Sequence, residues 1–335
     1  MRVIIHAGLP KTGSTAIQST LALNREKLAQ AGFVYPDLNP PPLETSFLPT
    51  PGKHVKLAAF WSDRITLSHR VAREIHDGDV ETWSSAVKLE VADILSTARA
   101  CGDTVIFSSE ALGRPELSHG LGNFLSTINR FTDNIHLLGY VRHPVDLYTS
   151  SLQQRIRLLG RSLERLRPSR WRSPQEVRVN TLRNRFGADR LTVRIYAREA
   201  LIGHDIVADF GEFVQRTCGR SLPVLEPSHN DNASVSAPAC AILTMLRRIL
   251  VPGLDDLEQN KTAQLLRLYS SQHPAPRLQL PLAWKAAIEA RNGASWNRIL
   301  ESAPDAVAFR IHAAKVPMSM MSSNHGSCLT WTRIT

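Results

Sequence analysis

Apolar residues follow two rhythms along this chain. Short, nearly unbroken apolar runs at residues 3–6, 33–35, 104–108, 135–141 and 191–196 predict strands buried on both faces. Between them, apolar positions recur at helical spacing over residues 14–31, 54–76, 82–100, 117–130, 174–186 and 205–218, and a further helix starts at Pro144. Pro36 stops the second strand, whereas Pro144 suits a helix's first turn. Strands separated by helices predict an α/β fold, a parallel sheet with helices on its faces, whose ligands bind at the carboxyl ends of the strands.

Two stretches interrupt the alternation. Residues 37–53 hold Asn39-Pro40-Pro41-Pro42, Pro49 and Pro51, and form a loop too long for a mere connector. After residue 222 the pattern turns to helices without clear strands, and from about residue 313 periodicity fades. The expected organisation is one domain over 1–312, with a core at 1–220, a helical extension at 221–312 and a loosely ordered tail at 313–335.

Composition narrows the classes. The 335 residues are 43% hydrophobic, enough for a sizeable core. No apolar run reaches the roughly 18 residues of a membrane helix, and the most apolar helical stretch, 239–251, is broken by Arg247 and Arg248. Residue 3 already begins the first strand, so the reading expects no signal peptide and a cytoplasmic, bacterial protein. Cys101, Cys218, Cys240 and Cys328 form no C-x-x-C pair, which argues against a disulfide framework or zinc site. The net charge of +10 is concentrated: Arg155 to Arg185 carries ten arginines against Glu164 and Glu176. Such a patch is either a solvated helix face or a lure for anions. Trp171 is the one aromatic beside these arginines before Phe186, so base stacking on nucleic acid has little support.

The most specific chemistry follows the first strand, in Ala7-Gly8-Leu9-Pro10-Lys11-Thr12-Gly13-Ser14-Thr15. A strand, a glycine-bearing turn and a helix N-terminus outline a phosphate cradle. Gly8 and Gly13 keep the spacing of G-x-x-x-x-G-K-[ST], but Ser14 takes the lysine's place and the lysine lies inside the loop, at Lys11. Its cation is therefore placed for a different leaving group. A second candidate is Arg142, at the end of a strand, with Ser150 eight residues on in the next helix. The two can converge on one phosphate, the arginine as a fork and the serine as a hydroxyl donor.

Together these motifs resemble the sulfotransferases that use 3′-phosphoadenosine-5′-phosphosulfate (PAPS). Pro10-Lys11-Thr12-Gly13-Ser14-Thr15 matches that family's 5′-phosphosulfate loop, P-K-[ST]-G-[ST]-[ST], at every position, and Arg142 with Ser150 fits its 3′-phosphate motif. Ser108-Ser109-Glu110 and Arg185-Phe186-Gly187-Ala188-Asp189-Arg190-Leu191 resemble stretches of bacterial sulfotransferase-like proteins. The resemblance covers roughly residues 1–220 and implies a P-loop-type sheet. It implies that Gly8, Pro10, Lys11, Thr12, Gly13, Ser14 and Thr15 hold the 5′ end of PAPS, with Lys11 at the leaving oxygen and hydroxyls from Thr12, Ser14 and Thr15. Arg142 and Ser150 would select the 3′-phosphate, and no metal is called for.

The acceptor hydroxyl needs a base. Glu110 ends a strand on the same rim as Lys11, and the resemblance implies this role for a glutamate so placed. His54, after the proline-rich loop, could reach the acceptor and is the competing base, although structural duty suits it better, as it does His6 and His143. The expected acceptor is a hydroxyl on a carbohydrate or glycolipid, anionic if the arginine segment helps to bind it. Two other readings remain open. One is a P-loop kinase or NTPase with Glu110 as magnesium ligand, which lacks the lysine at position 14. The other is a non-catalytic anion-binding protein.

Overall fold

The structure, a computed structural model, describes residues 1–38, 54, 57, 61, 80–110, 112–157, 167–228, 236–250 and 276–303. Most of the proline-rich loop, most of the helix expected at 54–76 and all of the tail expected at 313–335 lie outside these residues.

Five strands form one parallel sheet: β1 (Arg2–Ala7), β2 (Phe33–Val34), β3 (Thr104–Ser109), β4 (Ile135–Val141) and β5 (Leu191–Ile195), in the spatial order β2-β3-β1-β4-β5. All five lie where the apolar runs predict them. Alternate side chains supply two cores, which is why the runs are apolar throughout. Val3, Ile5, Val105, Phe107 and Leu137 face α3 (Val80–Cys101), α4 (Ser118–Asn129) and α6 (Gln175–Phe186) through Val91, Leu95, Phe124, Ile128, Leu182 and Phe186. Ile4, Ile106, Leu138 and Tyr140 face α1 (Ser14–Leu23), α2 (Arg25–Gln30) and α7 (Ile206–Cys218) through Ile17, Leu21, Leu28, Phe210 and Val214.

The helix predicted over 14–31 is two helices. Asn24, buried between them, donates from its side chain to the Thr20 and Glu226 carbonyls and accepts from the Glu226 N–H. An asparagine that bonds to nearby backbone competes with helix continuation. Asp205 caps α7, its carboxylate accepting from the Val207 and Ala208 N–H groups.

The chain leaves β1 toward the β2 edge and leaves β4 toward the β5 edge. Their carboxyl ends therefore border the point where the winding reverses, where such sheets leave a crevice. Among the described residues three more helices lie outside these two cores: α5 (Pro144–Arg157), α8 (Ala237–Leu250) and α9 (Leu282–Glu301). From α9 and just beyond it, Ile299, Leu300 and Ala303 pack on Leu9, Val141, Val193 and Ile195, so the helical extension braces the loop after β1. Among the described residues no helix is long and apolar enough to cross a membrane.

Candidate functional site at the carboxyl ends of the strands

The loop after β1 is anchored at its base and turned twice. The Gly8 N–H donates to the Ser109 carbonyl at 3.0 Å, and Leu9 is buried. Lys11 at φ 64° and Gly13 at φ 77° both lie in the left-handed region, and they swing the chain into α1. No side chain caps α1 and no acid stands in its first turn. Its N–H groups and the positive end of its dipole thus border the loop.

Two glycines are required by close approach. A Cβ on Gly13 would lie 2.8 Å from Cε2 of Tyr196. A Cβ on Gly8 would lie 2.5 Å from Ser14 Oγ and 3.0 Å from Glu110 Cγ. The second observation places the Glu110 side chain and the Ser14 hydroxyl against the same point of the loop. Ser14 Oγ is buried and has no hydrogen-bond partner among the described residues. Thr12 differs from expectation: it is fully buried and its hydroxyl donates to the Leu9 carbonyl at 2.7 Å, so it closes the loop instead of offering a proton to a phosphate. Pro10 and Thr15 are half-buried at the loop's outer turn and in the first turn of α1.

Arg142 joins this loop from β4. Its Nη1 donates to the Lys11 carbonyl at 3.1 Å, and its guanidinium lies 5.3 Å from the centre of the Tyr196 ring. Its main chain is clamped on both sides by Gln175, fully buried at the start of α6. The Arg142 N–H donates to Gln175 Oε1 at 2.6 Å, and Gln175 Nε2 donates to the Arg142 carbonyl at 2.7 Å. Ser150 is half-buried in α5 and shares no hydrogen bond with Arg142.

Glu110 follows β3 directly. Its carbonyl accepts from Arg178 Nη1, on α6, at 3.4 Å. One helix therefore grips both the residue after β4 and the residue after β3.

The histidines divide from the site. His54 is buried, accepts from the Ser108 N–H on Nδ1 at 3.1 Å, and uses Nε2 to donate to the Pro36 carbonyl at 2.8 Å. It also stacks on Tyr35, with ring centres 4.6 Å apart. With both nitrogens committed to backbone, His54 offers no lone pair to an acceptor, which corrects its expected place as a base. Its structural work is to pair β3 beyond the end of short β2. His6 meets the same serine from the other side, Nδ1 lying 2.7 Å from Ser108 Oγ, while Gln18 Nε2 donates to the Ser108 carbonyl at 3.2 Å. Burial lowers the His6 pKa to about 3 and the His54 pKa to about 4, so both are neutral at physiological pH. His143 packs edge-on against Trp296.

Sequence reasoning passes over Gln175, Arg178 and Tyr196. A signal for the first two exists: they share a helical face with Val179, Leu182 and Phe186, at the spacing of a buried stripe. The density of charge in that segment hides it. Among the described residues no group of His, Cys, Asp and Glu side chains is arranged to hold a metal ion. Comparison of the chain with protein-family models, with curated proteins and with solved structures gives no match.

Proposed function

We propose that the protein is a PAPS-dependent sulfotransferase acting on an acceptor hydroxyl. The observation that carries this reading is the union of two sequence motifs in space. Arg142, from the arginine–serine motif, bonds the carbonyl of Lys11, 131 residues away in the Pro10–Thr15 loop. Glu110 abuts the same loop at Gly8 and Ser14.

The residues fit the 5′ end of such a nucleotide. The loop has left-handed turns at Lys11 and Gly13, an uncapped helix start, and a buried hydroxyl, Ser14 Oγ, with no partner among the described residues. Buried polar atoms are ordinarily paired, so an unpaired donor at a loop centre fits an incoming oxygen. When bound, PAPS supplies a sulfonyl group attached to a phosphate leaving group. The loop N–H groups and Ser14 hold the phosphate oxygens, and Lys11 places a cation where negative charge grows. Arg142 and Ser150 engage the 3′-phosphate. Glu110 takes the proton from the acceptor hydroxyl. A kinase reading would need a lysine where Ser14 packs against Gly8.

Thermal melting tests the reading. The desulfated product, 3′-phosphoadenosine 5′-phosphate, is expected to stabilise the fold by about 2.7 kcal/mol at 100 times its dissociation constant. The rise should vanish in Arg142→Ala. A rise with ATP and magnesium alone would replace sulfonyl transfer by phosphoryl transfer. In turnover assays Lys11→Ala should lose about 10²–10³ in rate, the scale of a lost donor to developing charge.

A further inference from the structure

Among the described arginines of the basic segment, Arg178 is tied to the strand ends. Its Cβ lies 3.2 Å from the point where a Cβ on Gly113 would stand, and Leu9 Cδ2 lies 3.3 Å from that point. Its guanidinium reaches the Glu110 carbonyl. It is thus seated between the base candidate and the phosphate loop. Burial and the charge of Arg114 both disfavour its cationic form, while Glu116 and Glu110 favour it from a distance.

Another half-buried arginine has acids beside it. Arg194 is paired with Asp209 at 2.9 Å and with Glu212 at 2.5 Å. Among the described residues Arg178 has no ion pair, and the hydrogen bond of its guanidinium to the Glu110 carbonyl, at 3.4 Å, is long. The nearby Arg114 is exposed, and Glu116 reaches it at 4.0 Å, a contact of little strength. A partly desolvated guanidinium beside a second cation is costly unless an anion meets it.

We propose that Arg178, with Arg114 beside it, binds an oxyanion carried by the acceptor, so that the substrate is a hydroxyl compound with a carboxylate, sulfate or phosphate near the accepting oxygen. The word acceptor rests on the sulfotransferase reading; the anion site does not. Gln175 grips Arg142 one turn earlier on the same helix, so α6 would hold the acceptor and the nucleotide arginine in fixed relation.

Inorganic sulfate is the probe. It is titrated against the full chain saturated with 3′-phosphoadenosine 5′-phosphate, at ionic strength held constant with chloride, and followed by melting temperature. The wild type should show a saturable rise. Arg178→Gln should bind sulfate about tenfold more weakly, the scale of one charge-assisted contact. Arg183→Gln, the same charge change on the same helix, should match the wild type. Equal sulfate affinity in the wild type and Arg178→Gln would overturn the site, as would the lack of a saturable response in the wild type. If Arg178→Gln does not fold, Arg178→Lys, which keeps the charge and loses the fork, is read by the same criterion. If the nucleotide fails to bind but sulfate still depends on Arg178, the anion site stands and its assignment to an acceptor falls.

Discussion

Lys11 holds φ 64°, a conformation that costs a side-chain-bearing residue about 1–2 kcal/mol. Glycine would fit the backbone better there, and on the sulfotransferase reading the lysine is kept for its charge. Lys11→Gly is therefore expected to melt no lower than the wild type and to lose turnover as fully as Lys11→Ala. A melting loss as large as that of a core variant would make the lysine structural instead. The glycines give a matched comparison. Gly219, at φ 70°, has nothing within 4 Å of an added Cβ, whereas Gly13, at φ 77°, has Tyr196 at 2.8 Å. Gly219→Ala should cost about 1 kcal/mol from backbone strain alone. Gly13→Ala should cost that and a further 1–3 kcal/mol or so of overpacking. It should also weaken nucleotide binding, because Tyr196 underlies Arg142. Urea unfolding of the two variants checks the order, and equal losses would mean that the tyrosine yields freely.

Helix α6 does more than cover the sheet. Gln175 satisfies both main-chain groups of Arg142 from a fully buried position. Gln175→Ala leaves two such groups unpaired, each worth about 1–3 kcal/mol where water cannot reach. It should lower the urea midpoint. It should also weaken binding of 3′-phosphoadenosine 5′-phosphate more than that of adenosine 5′-phosphate, which lacks the 3′-phosphate Arg142 is proposed to hold. A loss common to both nucleotides would mean that the helix supports the fold without aiming the arginine. This element shows where the sequence stops being legible. Its existence and span follow from the apolar stripe of Val179, Leu182 and Phe186. The inward duty of Gln175 and Arg178 on that stripe does not, because a polar side chain declares its partners only once the β4 and β3 ends are set beside it. Asn24 is the same case: its spacing fits one long helix, and its bond to Glu226 spans 202 residues.

At the scale of the molecule, the strands and their positions are legible because a parallel sheet buried on both faces demands unbroken apolar runs. That the carboxyl ends share one rim follows from parallel strands, but the order β2-β3-β1-β4-β5, which makes the strands before Gly8, Glu110 and Arg142 neighbours, is a long-range outcome that no local pattern encodes. His54 illustrates the cost of that gap. Read along the chain it is a competing base after a proline-rich loop; in space it pairs the buried end of β3 that β2 leaves unpaired. That placement has a consequence for the whole fold. Burial gives His6 and His54 folded pKa values of about 3 and about 4, below the 6.5 of an exposed histidine. Above pH 6.5 both are neutral whether folded or unfolded, and the stability is fully present. As the pH falls through 6.5, the unfolded chain takes up protons that the folded chain refuses, so stability declines until the folded pKa is reached. At about 1.4 kcal/mol per pKa unit, His54 alone accounts for a loss on the order of 3 kcal/mol between pH 6.5 and 4. Urea midpoints measured from pH 7.5 to 4 should fall steeply below pH 6.5. His54→Asn should start lower at pH 7.5, from its lost backbone bonds, yet decline less steeply. A wild-type midpoint flat down to pH 4.5 would mean that these two rings accept protons within the fold, and would return His54 to the list of residues able to act as a base.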